Sequence, residues 1–285
     1  MAWAKNDQQF QDWFSQQWNI TFGKRITTDE YPWLCRPFGL PGVTGEQFME
    51  YLAKKEGLTI NINPKNSGLL SSFYKLEFSE NHLPSSKIIH FYEKTTEYNF
   101  TLKVEWNKYF RILGNIVSKL FSKRIQQLNV PLENFSDGEQ LTSEIIQLTE
   151  KETDVCRYTF WLRKKSSDKQ VIYSGIYDTC RLPDGRVCIK TVFPLPNGNT
   201  TVIMEPSVGK NGELILESSG DKFGDPGFYF LVEDSKGRVW TQYIQSFKDR
   251  ITVVETGKGL IAKQILTLWK RKLVAFEYSI CSREQ

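Results

Sequence analysis

Between residues 140 and 280 apolar side chains recur at every second position, and turn-forming residues interrupt them at short intervals. The clearest stretch is 171–204. There Val187, Ile189, Thr191 and Phe193 alternate with Cys188, Lys190 and Val192, the period of two that turns successive side chains to opposite faces of a strand. Leu182-Pro183-Asp184-Gly185 and Leu195-Pro196-Asn197-Gly198 bound this run. Both are reversals, because Pro presets φ at the first corner while Asp-Gly and Asn-Gly tolerate positive φ.

The same grammar predicts strands over 140–149, 157–164, 170–181, 202–205, 213–217, 228–233, 238–247, 251–255, 260–269 and 272–280. Turns are expected at 209–212, 234–237, 248–249 and 256–259, and Pro206 and Gly220 are read as strand ends. Reversals every ~9 to 14 residues are the spacing of an all-β sandwich or barrel. Connections this short make neighbouring strands antiparallel. About ten or eleven strands exceed what a twisted open sheet holds without curling, so closure into a barrel is expected first and a large curved sheet second.

Upstream the period changes. Phe10, Trp13, Phe14 and Trp18 are spaced for a short helix that docks its aromatic face. Thr44 and Gln47 form a capping box opening a helix that stops at Gly57, and a strand follows over 58–62. Residues 88–93 and 98–105 are read as a hairpin. From Trp106 to Leu128 the period is 3.6, with Tyr109, Phe110, Leu113, Ile116, Val117, Leu120 and Phe121 on one face, which predicts a long amphipathic helix ended by Pro131. The predicted class is therefore α+β, predominantly antiparallel β. A long up-and-down meander forms a barrel or strongly curved sheet, with the amphipathic helix packed on it and a short helical N-terminal region. The expected division is a helical and irregular region at 1–85 and a β domain at 86–285 that includes helix 106–128.

Charge sharpens one part of this picture. The chain carries +4 overall, and the five basic residues between Trp106 and Leu132, with no acid among them, leave the remainder at −1. Lys108, Arg111, Lys119 and Lys123 are thus candidates for meeting an anionic membrane surface or an acidic protein. Nucleic acid is not expected as a partner, since no helix-turn-helix, zinc-finger or RNA-recognition pattern accompanies the charge. The amino terminus lacks a signal-peptide pattern, no segment reaches the ~18 apolar residues of a membrane span, and five cysteines, an odd number with no close pair, suit a reducing compartment. A cytoplasmic setting is the expectation.

Composition narrows the chemistry by exclusion. Two histidines and dispersed cysteines give no metal-ligand spacing, and there is no nucleophile elbow, Walker-type loop, His-Glu-x-x-His or calcium loop. No cofactor or metal is expected. The best candidate for a binding wall is the 171–181 strand, where Tyr173, Gly175, Tyr177, Thr179 and Arg181 share a face. Few polar groups set among aromatics is the composition of a ligand pocket; cross-strand aromatic packing on a solvent face is the alternative. Lys190, Trp240 and Tyr243 could join that wall. Asp178, Glu205 or Asp225 would serve if a general acid or base exists. Three functions follow: a non-catalytic module binding an apolar or amphipathic small molecule such as a lipid, a scaffold or peripheral-membrane protein acting through helix 106–128, and a metal-independent enzyme with a cavity in the β domain.

Overall fold

The turns read from the sequence set the path of the chain: Gly185 sits at φ 92° and Asn197 at φ 56°, each closing the hairpin it was expected to close. The structure is a computed structural model and describes residues 2–5, 10–35, 37–41, 43, 46–78, 82–107 and 135–283. Helix α1 is Phe10–Phe22, α2 Glu46–Glu56 and α3 Ser86–Glu93. The strands are β1 Lys24–Ile26, β2 Leu58–Ile62, β3 Tyr98–Trp106, β4 Phe135–Glu150, β5 Cys156–Lys165, β6 Val171–Arg181 and β7 Val187–Leu195. They continue as β8 Gly198–Val208, β9 Leu214–Glu217, β10 Gly227–Glu233, β11 Val239–Tyr243, β12 Phe247–Thr256, β13 Gly259–Leu268 and β14 Arg271–Ser282.

Ten of these strands close a barrel in the order β8-β7-β6-β5-β4-β3-β14-β13-β12-β9, with β9 pairing back onto β8. All its ladders are antiparallel, as the short connections require. One excursion leaves the ring. The first half of β8 pairs with β10, which carries β11 and β1 outward as a side sheet, while Glu205–Val208 of the same strand pairs with β9. Pro206 is therefore inside β8 rather than at its end.

Three expectations are corrected by the coordinates. Residues 88–93 are helical, not one arm of a hairpin: Ile88, Phe91 and Tyr92 recur at i, i+3 and i+4 and are all buried, so packing under the barrel end overrides the strand preference of the two isoleucines. Lys248-Asp249 is not a turn. The chain reverses at Ile244–Phe247, whose backbone bond Phe247 N–H to Ile244 O closes it, and both residues belong to β12. Of the aromatic face expected of α1, finally, Trp13 packs against Ala4, Ile20 and Val232, but Phe14 and Trp18 turn to solvent.

The side of α1 turned to the protein carries Gln16, Asn19 and Ile20, while Phe14, Trp18 and Phe22 are 62 %, 43 % and 68 % exposed. The glutamines meet backbone groups there. Gln16 Nε2 donates to the Pro196 carbonyl at 2.7 Å, and the Gln17 side chain accepts from the Ala4 N–H at 3.0 Å.

The predicted helix 106–128 starts on Trp106, which is the last residue of β3; from residue 108 it lies outside the described residues, and Lys108, Arg111, Lys119 and Lys123 with it.

Four buried clusters form around this frame. The largest fills the barrel and is capped by α3 and the short 3₁₀ turn Phe73–Leu76. The other three lie outside the wall: α2 over β4, β5 and β6, the 31–38 segment over β6, β7 and β10, and α1 over β10 and β11. Residues before 86 also supply strands, with β1 on β11 and β2 on β4.

Candidate functional site

Inside the barrel the wall positions of β5, β6 and β7 that point inward carry Trp161, Arg163, Tyr173, Tyr177, Thr191 and Phe193. Register makes the set contiguous, since Arg163 lies opposite Tyr173 and Tyr177 opposite Thr191. Gly175 between the tyrosines is small for a reason. A Cβ there would come within 3.2 Å of the Tyr173 hydroxyl and 3.1 Å of the Phe193 ring. Across the barrel stand Asp249 and Val253 of β12, Ala262 and Gln264 of β13 and Tyr278 of β14, and Phe91 and Tyr92 of α3 form the floor. Together they line a partly open cavity of ≈ 90 Å³.

Two charged residues break the apolar rule of that interior. Arg163 is 5 % exposed, and its guanidinium carbon lies 4.1 Å from the Trp161 ring centre, 4.1 Å from that of Tyr173 and 5.0 Å from that of Tyr278. Guanidinium stacking on aromatic faces holds the charge without neutralising it. Its Nε–H is buried with no acceptor. The Trp161 ring is itself fixed, because its Nε1–H donates to Ser143 Oγ at 2.9 Å.

Asp249 is also 5 % exposed. Its backbone is clamped by Ser218: the Asp249 N–H donates to Ser218 Oγ at 2.8 Å, and the Ser218 N–H donates to the Asp249 carbonyl at 2.9 Å. One carboxyl oxygen accepts from Gln264 Nε2 at 2.6 Å; the other, Oδ1, is buried without a partner. Burial pushes the Asp249 carboxyl up to about 7, with the Gln264 hydrogen bond only partly opposing it. Burial likewise raises the phenols of Tyr173, Tyr177 and Tyr92, so the tyrosines present neutral hydroxyls.

The residues expected from the sequence are distributed as follows. Tyr173 and Tyr177 line the cavity. Arg181 is at the far rim, paired with Glu77 and donating to the Gly185 carbonyl at 2.8 Å. Lys190 is buried on the outer face of β7, in register with Asp178 across the β6–β7 ladder. Trp240 and Tyr243 belong to the side sheet. The indole donates to Asp234 at 3.0 Å, and the Tyr243 hydroxyl donates to the Gly220 carbonyl at 2.6 Å. Of the candidate acids, Asp178 is exposed, Glu205 pairs with Arg186 at 2.6 Å, and Asp225 accepts turn N–H groups from Asp221 and Lys222. None of the three lines the cavity.

Sequence reasoning missed Arg163, Asp249 and Gln264. A signal existed for the first. Thr159, Trp161 and Arg163 share a face by alternation, and an arginine two positions from a tryptophan on a strand was available as a stacked pair.

Among known proteins, the chain is 29% identical over 217 residues to the "Uncharacterized membrane protein YndJ" of Bacillus subtilis (strain 168). The match covers 74% of this chain but 37% of that protein, so the chain spans well under half the length of the curated relative it resembles. No family model matches, and no solved structure does. Among the described residues no helix is long and apolar enough to cross a membrane, and no group of three or more His, Cys, Asp or Glu side chains could hold a metal ion.

Proposed function

We propose that the barrel is a non-catalytic binding module for a small amphipathic molecule held in its interior. The observation that carries this reading is the cavity itself: aromatic walls around two buried charged side chains, Arg163 and Asp249, that each keep a polar atom without a partner. Native proteins rarely leave such groups unsatisfied, because each costs about 1–3 kcal/mol, more when charged. A ligand that brings both polar and apolar surface removes that cost. Native mass spectrometry of the protein purified from its own host, compared with the denatured mass, tests it. A retained small-molecule adduct is expected; a bare chain that also gives no thermal shift with any compound of a diverse small-molecule set defeats the reading.

A second reading is favoured by α1. Its row of Phe14, Trp18 and Phe22 faces solvent, with the exposed Lys24 and Arg25 directly after it, the composition of a segment that settles at a lipid headgroup boundary. The relative's description as a membrane protein supports the same reading. Lys108, Arg111, Lys119 and Lys123 would add attraction to an anionic, cytoplasm-facing leaflet. Co-sedimentation with vesicles containing phosphatidylserine is expected to fall when Phe14, Trp18 and Phe22 are changed to Ser, and unchanged binding rules the helix out as the contact.

A further inference from the structure

We infer that the molecule held in the barrel is a small carboxylate-type monoanion, seated edge-on against the Arg163 guanidinium with its apolar part toward Val253 and Ala262. This rests on the reading of the barrel as a small-molecule module and narrows it to one class of ligand.

The surroundings of Arg163 narrow what can meet it. The ring centres of Trp161 and Tyr173 lie 4.1 Å from its guanidinium carbon and 5.6 Å from each other, with that of Tyr278 at 5.0 Å. Its Nε–H is buried and has no acceptor. A planar fork of donors flanked by aromatic rings is best met by a planar two-oxygen acceptor approaching in the same plane, which is a carboxylate.

The charge count of the cavity points the same way. Arg163 is the one basic residue among the described lining, and the acids that pair with the neighbouring lysines, Glu46 with Lys164 and Asp168 with Lys165, do not reach it. An arginine does not shed its proton, and an uncompensated charge buried in an apolar wall is costly, so a counter-ion is required. Asp249 is the sole acid in the described lining. It is bonded to Gln264 rather than to Arg163, and burial holds its carboxyl up to about 7. Below that pH Asp249 is protonated, and the cavity then has a net charge of +1 and an additional O–H donor. That matches one monoanion. A phosphate dianion would bring more negative charge than a single guanidinium offsets.

Size sets the last limit. At ≈ 90 Å³ the space is smaller than the roughly 150 Å³ that admits benzene in an apolar cavity, so the ligand is of the order of a short-chain fatty acid.

Isothermal titration of the whole chain with propionate and butyrate, against the neutral isosteres propionamide and butyramide, separates the outcomes. The acids are expected to bind at least tenfold more tightly than the amides, and Arg163→Gln to erase that preference. Amides that bind as well as acids, or a neutral or cationic adduct in the native mass spectrum, overturn the anion while leaving the binding module intact. Absence of any adduct together with no response to acid or amide overturns both.

Should Arg163→Gln fail to fold, Asp249→Asn decides. The groups facing Asp249 are Gln264 of β13, Arg163 of β5, Tyr173 and Tyr177 of β6, Tyr278 of β14 and Tyr92 of α3. With Tyr173, Tyr177 and Tyr92 held neutral by burial, Asp249 is the group that titrates near pH 7. Wild-type affinity for propionate is expected to fall about tenfold per pH unit above 7, and Asp249→Asn to abolish that fall. If Asp249 is instead the counter-ion of Arg163, the variant unfolds more easily and propionate binding shows no such dependence, which removes the proposal.

Discussion

Asp234 and Asp249 are the same side chain, both shielded from solvent, and their surroundings treat them in opposite ways. Asp234 sits in the β10–β11 turn of the side sheet. It accepts from the N–H groups of Lys236 and Arg238 at 2.9 and 3.0 Å, from Arg238 Nε at 2.7 Å and from the Trp240 indole at 3.0 Å. Burial works to raise its carboxyl, but those donors outweigh it and hold the group below the usual range. Asp249 has one side-chain donor and is pushed up to about 7. The arginines divide in the same way, Arg238 on its own aspartate and Arg163 on aromatic rings alone. Where the chain needs only to hold a turn, it surrounds the carboxylate with donors. In the interior of the barrel one carboxyl oxygen is left without any.

The strongest way to break this contrast is to remove the satisfied aspartate. Asp234→Ala leaves Arg238 and two backbone N–H groups without their acceptor, and a loss of about 3–5 kcal/mol in urea unfolding is expected. A loss below about 1 kcal/mol would make the turn ornamental.

The two carboxyls also have opposite pH signs. Asp234, held low, contributes stability that is present above the unfolded value near 4 and is lost as the pH falls below it. For Asp249 the folded chain keeps a proton that the unfolded chain has released. Its contribution is full below about 4 and is lost as the pH rises through about 7. Asp249→Asn should therefore flatten the decline in melting temperature across that window and stabilise the protein at pH 8, by up to about 4 kcal/mol. A variant that melts earlier than wild type at pH 8 contradicts the assignment.

The smallest effect is expected on the outside. Phe22 is 68 % exposed on α1, and Phe22→Ser should change stability by no more than about 0.5 kcal/mol. A larger loss would mean that the aromatic row is already covered in the free protein.

How much of this was legible follows from what each signal depends on. Hairpins are local, so Pro183-Asp184-Gly185 and Pro196-Asn197 announced themselves and the strands beside them followed. Closure of the ring rests on β14 meeting β3 and β12 meeting β9, pairings between residues far apart in the chain that no local pattern encodes. The site was hidden by the same rule that revealed the strands. Alternation is read by assuming that apolar residues point inward. Arg163, Asp249 and Gln264 point inward too, so Lys248-Asp249 was taken for a turn and the true reversal one step earlier was passed over. Helix α1 misled in the reverse sense, its glutamine and asparagine being the residues that face the protein.

The narrow place in the ring is β9, which joins β8 and β12 through ladders of four residue pairs each. Were it to peel away, the barrel would become an open sheet with two bare edges, and such edges template the pairing of one chain with the next. Pro206 lies on the first of them, opposite Leu216. Having no N–H, it interrupts the row of donors an incoming strand would need. The proline that looks like a strand terminator in the sequence is placed where it discourages fibrous self-association.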